Sequence, residues 1–213
     1  MKLNYLITAG PTREYIDPVR FISNASSGKM GYAIAEEAAS KGHNVVLVSG
    51  PVSLPRLAKV KVVPVVSAKE MFDAVKKYFS NADILIGAAA VADYAPVKFS
   101  KKKIKKNAKD AFIKLMPTKD ILGYFGSIKN GRVIAGFALE SNNLIKEAKR
   151  KLKTKNLDII TANYPENIGG DKGSVWLINK NGDITALKNM PKKRIAERII
   201  NETIKTHKLD KAG

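Results

Sequence analysis

The chain of 213 residues contains no cysteine. That excludes a disulfide framework, a thiolate metal site and a cysteine nucleophile, and it fits a reducing compartment. Histidine is nearly absent too, with 2 in the chain. His43 follows Gly42 in a turn and His207 lies in a charged tail, so both are expected at the surface. No cluster of His, Asp and Glu suggests a permanent metal site. No apolar run approaches the ~18 residues of a membrane helix, and the start MKLNYLITAG is too short and strand-like for a signal peptide. A cytoplasmic protein without a membrane partner is expected. Acidic residues are scarce: 19 Asp and Glu stand against 38 Lys and Arg, a formal net charge of +19. Such an excess fits either a nucleic-acid surface or anionic small-molecule substrates. The dense runs Lys101 to Lys106 and Lys146 to Lys155 carry little aromatic interleaving for base stacking, which favours small anions over nucleic acid.

What is present is an alternation. The chain is 45% hydrophobic, enough to bury one substantial core, so residues 1–213 are expected to form a single domain. Apolar runs at 3–8, NVVLVSGP, VKVVPVV, ADILIGAAA, FIKL, RVIAGFAL and LDIITAN alternate with helical patterns at 29–41, 68–80, 118–126 and 141–155. Pro64 marks the third of these strands as an edge or a bulge. SVWLINKNGDITAL predicts a hairpin around Asn181-Gly182, with Trp176 as packing, and a helix follows at 191–206. This is the pattern of an α/β, Rossmann-like three-layer sandwich with a mainly parallel sheet and a small antiparallel β addition near the C-terminus. The polar, lysine-rich stretch 92–111 interrupts the rhythm and predicts a long surface loop, expected to be a mobile active-site loop.

SNASSGKMGYAIAEEAASKG, residues 23–42, combines small polar residues, Gly28 and Lys29 ahead of an amphipathic helix. A helix N-terminus with Ser26 and Ser27 as hydroxyl donors, a glycine for close approach and a lysine charge is suited to an anion. An ordinary serine-capped helix start is the alternative. The turn TAGPTRE, with Gly10 at the end of the first strand, lies where open α/β sheets bind ligands and strengthens the anion site. A Walker loop fails at both ends, since Ser23 stands at its first glycine and Met30 follows Lys29. About 18 residues separate Gly10 from Gly28, which stretches a dinucleotide fingerprint past usefulness. Tyr94 and Lys98 have the spacing of a short-chain reductase pair, but Pro96 between them would break the required helix.

The strings ITAGPTREYIDPVRFISNASSGKMGYAIA, VSGPVSL, AAVADYAP, KIKK, GFALESNN and KNLDIITAN occur in this order from about residue 3 to about residue 205. Together they resemble the phosphopantothenoylcysteine synthetase family, the ligase half of the bacterial bifunctional coenzyme A biosynthesis flavoprotein. The resemblance implies a two-step reaction. The carboxylate of 4′-phosphopantothenate attacks the α-phosphate of CTP, giving an acyl-cytidylate and pyrophosphate; L-cysteine then forms the amide and releases CMP. It also implies Mg²⁺, a homodimer and a flavin-dependent decarboxylase half that is not in this sequence, so that the chain resembles either a stand-alone ligase with that decarboxylase as a separate partner or a ligase domain taken alone. CTP over ATP follows from the bacterial type of the motifs.

Residue by residue, the family pattern places a catalytic lysine at Lys103, the first of KIKK, which charge patterning alone reads as part of a solvated run. Asn24 matches the asparagine that holds the acyl-cytidylate, with a turn or cap role as the alternative. Arg20 is suited to a phosphate or carboxylate, with a structural ion pair to Asp17 or Glu14 competing. Ser26, Ser27, Gly28, Lys29, Met30 and Ala89 complete the expected substrate and phosphate contacts. Gly10, Asp93, Lys103, Lys119, Asp120, Ile121, Leu122, Phe137, Lys151 and Lys155 are expected at the nucleotide, Asp93 accepting hydrogen bonds or helping with Mg²⁺. Phe137 packs either on cytosine or in the core. Lys151 and Lys155, four apart, share a helix face. The family's Asn-Pro-Asp-Ile-Val segment reads Thr118, Lys119, Asp120, Ile121, Leu122 here, and the missing proline leaves the local backbone open. A nicotinamide-dependent reductase and a basic nucleic-acid-binding protein are the alternatives to a ligase.

Overall fold

The computed structural model describes residues 1–106, 111–167 and 169–212. An eight-stranded sheet is built from β1 (Asn4–Ala9), β4 (Asn44–Ser49), β5 (Lys61–Pro64), β6 (Ile84–Gly87), β9 (Val133–Leu139), β10 (Ile159–Asn163), β11 (Lys172–Asn179) and β12 (Ile184–Pro191). Its order is β12-β11-β10-β9-β6-β1-β4-β5, parallel from β5 to β10. The chain winds outward from β1 through β4 to β5, then returns to the other side of β1 for β6, β9 and β10. This is the doubly wound order, and its reversal between β1 and β6 opens a crevice at their carboxyl ends.

Two helix layers cover the sheet. α1 (Lys29–Ser40) and α5 (Lys192–Ala212) lie on one face, where Ile34, Ala38, Ile195 and Ile199 meet Tyr5, Ile7, Ile84 and Ile86. α2 (Ala68–Phe79), α3 (Ile121–Ser127) and α4 (Leu144–Thr154) cover the other, where Met71, Phe72, Phe125 and Ala148 meet Leu6, Leu85 and Ile134. Because the parallel strands are covered on both faces, they read in sequence as unbroken apolar runs. Pro64 ends the edge strand β5, where a missing N–H does no harm.

The β11–β12 hairpin turns at Asn181-Gly182, with Gly182 at φ 92°. It pairs antiparallel to β10 and extends the main sheet. Two short ladders stand outside that sheet: β2 (Arg13–Tyr15) with β3 (Phe21–Ser23), and β7 (Tyr94–Pro96) with β8 (Leu115–Pro117). The stretch read as a loop at 92–111 therefore contains a strand, and residues 107–110 of it lie outside the described residues. α5 runs past 206, which overturns the surface placement of His207. Continued helical spacing carries Ile199, Thr203 and His207 inward together, and His207 is buried. Among the described residues no helix is long and apolar enough to cross a membrane.

Tyr5 ties the sheet to α5, its hydroxyl 3.1 Å from Thr203 Oγ1. Burial pushes its phenol up to about 12, although the Thr203 bond opposes the shift. A raised phenol pKa makes its stability contribution complete below pH 10 and lost as pH climbs from 10 towards 12. The loss is at most about 3 kcal/mol. Tyr5→Phe should therefore cost about 1 kcal/mol near neutrality. At about pH 11.5 it should be the more stable protein. Denaturant midpoints at the two pH values check this, and an equal cost at both would refute it.

Candidate active site

β1 ends at Ala9, and Gly10 beyond it needs its positive φ of 72° to turn the chain. The β2–β3 ladder then carries the chain out and back, so that Gly28 returns beside Gly10. A Cβ on Gly28 would stand 3.3 Å from Gly10 Cα and 2.7 Å from Val52 Cγ1. Gly31, one turn into α1, lets the helix press on β1, where a Cβ would meet Ala9 Cβ at 2.5 Å. The tight turn, the close backbone and the close helix–strand contact of a dinucleotide fingerprint are thus all filled. The intervening residues are looped out as a ladder, and the fingerprint dismissed on linear spacing is reassembled in space.

Two clefts meet at Asn24 and Ala25. The first, of about 520 Å³, lies over the carboxyl ends of β1, β6 and β9. It brings together Asn24, Ala89, Asp93, Lys119, Asp120, Ile121, Leu122, Phe137, Lys151 and Lys155, all expected from sequence. Its floor is built on glycines: a Cβ on Gly87 or Gly136 would stand 2.7 or 2.9 Å from the Leu122 side chain. The segment 89–93 is held from three sides. Ala89 N donates to Thr8 Oγ1 at 3.3 Å, Ala92 N to Thr12 Oγ1 at 2.9 Å, and Thr118 Oγ1 to Ala92 O at 2.6 Å. Asn24 Nδ2 adds bonds to Val91 O at 2.9 Å and Ala90 O at 3.4 Å.

The cations of this cleft are tethered. Lys151 pairs with Glu140 at 2.6 Å and Lys155 with Asp120 at 2.9 Å. Lys119 Nζ stands 4.5 Å above the Phe72 ring. Asp120 also caps α3, accepting from Gly123 N at 3.0 Å. Burial pushes its carboxyl up, but Lys155 and the cap outweigh this and hold it below the ordinary value. Asp93 is exposed and its carboxylate accepts no hydrogen bond among the described residues. Among those residues no group of three or more His, Cys, Asp or Glu converges on a metal position. A single open carboxylate suits Mg²⁺ carried in on phosphate oxygens, which keeps most of its water.

The second cleft, of about 650 Å³, is lined by Ser26, Ser27, Lys29, Arg13, Phe21 and the turn Pro51 to Leu54. α1 has Gly28 as its N-cap and no side-chain cap bond, so its first N–H groups face this space.

Several expected contacts are placed differently. Arg20 pairs with Asp17 at 2.5 Å and donates to Ile104 O at 2.6 Å, so the ion pair weighed against an anion contact is formed, with half of the side chain still exposed. Lys29 reaches Asp171 at 2.7 Å and Gly169 O at 3.2 Å. Met30 packs against the core and lines a small cavity with Phe137 and Lys192, away from the phosphate loop. Gly10 is buried; besides making the turn, its carbonyl accepts from Ala90 N at 2.9 Å. Lys103 is exposed and lines neither cleft. Three polar residues were missed: Glu140, Asp171 and Arg13. For Arg13 a signal existed, because neighbours on a strand face opposite ways and Glu14 cannot neutralise it.

Comparison with known proteins places the chain in a family and matches its fold. The family described as "DNA/pantothenate metabolism flavoprotein C-terminal domain" matches residues 1–206. The Coenzyme A biosynthesis bifunctional protein CoaBC of Haemophilus influenzae is 44% identical over 209 residues, 96% of this chain and 52% of that protein. Its Escherichia coli K12 counterpart is 47% identical over 189 residues, 85% of this chain and 47% of that protein. The chain thus spans about half the length of these relatives. A crystal structure of the C-terminal domain of a CoaBC protein is 38% identical with a TM-score of 0.84, covering 99% of this chain and 97% of that one.

Proposed function

Because the chain belongs to the DNA/pantothenate metabolism flavoprotein C-terminal domain family, we propose that it is a phosphopantothenate–cysteine ligase of coenzyme A biosynthesis. The observation that carries this is the crevice at the sheet's reversal, where Lys119, Lys151, Lys155 and Asp93 line one cleft and where Asn24 and Ala25 adjoin a second. Joining a carboxylate to a nucleotide brings anions together, and two adjoining clefts with cations on several elements suit that task.

The first cleft takes CTP, with Phe137 against the base and the lysines on the phosphates. A carboxylate oxygen of 4′-phosphopantothenate bonds to the α-phosphorus while the bond to the β-phosphate oxygen breaks, releasing pyrophosphate. The cysteine amine then bonds to the acyl carbon, the acyl–phosphate C–O bond breaks, and CMP departs as the amine proton passes to solvent. Asp93 together with phosphate oxygens would hold Mg²⁺, which supplies charge neutralisation when bound. Lys103 closes over the α-phosphate from a mobile loop.

The protein works as a cytoplasmic homodimer. Tyr94 and Leu115, both exposed, share one side of the β7–β8 ladder and offer an apolar surface suited to a second copy. A flavin-dependent decarboxylase is the partner that consumes the product.

Purified protein with Mg²⁺, CTP and 4′-phosphopantothenate should release pyrophosphate, and amide should appear only after cysteine is added. CTP should outperform ATP side by side, and light scattering on the same sample should give a dimer mass. Silence with every nucleoside triphosphate would end the ligase reading.

A further inference from the structure

Arg13 sits on β2, where its N–H donates to Val66 O at 2.8 Å and its residue pairs across the ladder with Ser23. Its guanidinium carbon lies 4.6 Å from the centre of the Phe21 ring, the diagonal cross-strand neighbour. Both Arg13 and the ring it lies over line the second cleft. Among the described residues the guanidinium donates no hydrogen bond and forms no ion pair. The acids of the same segment are engaged elsewhere: Glu14 is buried and accepts from Ala68 N at 2.8 Å, and Asp17 holds Arg20. Lys29, the other cation lining this cleft, is neutralised by Asp171. Arg13 thus lines one cleft with Ser26 and Ser27 and has no acidic partner among the described residues.

Resting on the ligase reading above, we propose that Arg13 is a phosphoryl-recognition residue of the second cleft. Two phosphoryl sources reach that cleft from Asn24: the β,γ-phosphates of the nucleotide, which leave as pyrophosphate, and the phosphate of 4′-phosphopantothenate. Both present the oxygen pair that a guanidinium grips. Lysine at this position keeps the charge but loses the fork and the stack.

Calorimetric titrations of inorganic pyrophosphate and of 4′-phosphopantothenate into the full chain and its Arg13→Gln and Arg13→Lys variants test this. Arg13→Gln should weaken one of the two anions about 10- to 100-fold. Arg13→Lys should recover only part of the loss, and cytidine binding and the melting temperature should not change. Loss with pyrophosphate identifies the nucleotide's leaving group as the source; loss with 4′-phosphopantothenate identifies the acid substrate. Unchanged affinity for both anions, or no binding of either by the parent protein, overturns the proposal. Binding is read without turnover. A chain that holds either anion through Arg13 yet never releases pyrophosphate from CTP would therefore lose the ligase reading and keep the anion site.

Discussion

Replacing Lys103 by Gln should slow nucleotide activation by about 10²- to 10³-fold, the cost of removing one charge from a phosphoryl transition state, with no change in unfolding midpoint. The two halves of that expectation come from separate features. Lys103 is exposed and makes no ion pair among the described residues, so its loss removes no structural contact. Its neighbour is firmly held. Ile104 N donates to Asp17 Oδ2 at 3.1 Å and Ile104 O accepts from Arg20 Nη2 at 2.6 Å. Asp17 also accepts from the backbone N–H groups of Val19 and Arg20, each at 2.9 Å. The Arg20 guanidinium, aided by those N–H groups and opposed by burial, holds the Asp17 carboxyl well below the usual carboxylate range. The pair stays ionised through neutral pH and pins the chain one residue beyond the lysine. Arg20 is then a positioning residue that sets where the Lys103 loop starts. Single-turnover pyrophosphate release with saturating CTP is the measurement, alongside CTP affinity. An unaltered burst rate in Lys103→Gln would remove this lysine from the chemistry while leaving the reaction untouched.

The contrast between Lys103 and Lys29 marks what can be read from sequence. The sheet was legible because burial on both faces leaves apolar runs, and the hairpin because Asn181-Gly182 supplies the turn. Local pairs were legible as alternatives, as with Arg20 and Asp17, which lie three apart. Lys29 and Asp171 are 142 positions apart and Lys155 and Asp120 are 35 apart. No local pattern announces such pairs, and they decide whether a cation is open to a ligand. The β7–β8 ladder escaped notice for a related reason. Its strands are three residues each and mostly exposed, so neither burial nor alternation marks them. The glycines were visible, but their partnership was hidden by the insertion between Gly10 and Gly28, since a fingerprint counted along the chain misses one closed across a ladder. His207 was misplaced because charged neighbours outweighed the continuing helical period.

Asn24→Asp should leave pyrophosphate release measurable and cut amide formation by about 10²- to 10³-fold. Activation as proposed draws on Lys103 and on the cleft cations Lys119, Lys151 and Lys155, none of which the substitution replaces. The acyl-cytidylate carries less charge than the triphosphate and depends more on neutral hydrogen bonding at the junction of the clefts, where Asn24 stands. There the amide Nδ2 donates to Val91 O at 2.9 Å and Ala90 O at 3.4 Å. An aspartate has no N–H to give, so its carboxylate would face two carbonyl oxygens and push the 89–93 segment away. It would also set a negative charge beside the intermediate's phosphate. At about 4 Å and an effective dielectric near 20, that repulsion is roughly 4 kcal/mol, larger than the loss of one hydrogen bond at about 1 kcal/mol. Asn24→Ala separates the two effects, since it removes the clamp without adding charge and should fall by about tenfold only. Following the pyrophosphate burst and then the amide after a cysteine chase distinguishes the steps. Equal slowing of both steps in Asn24→Asp, or an alanine variant as impaired as the aspartate, would mean that Asn24 holds the loop and has no separate part in the second step.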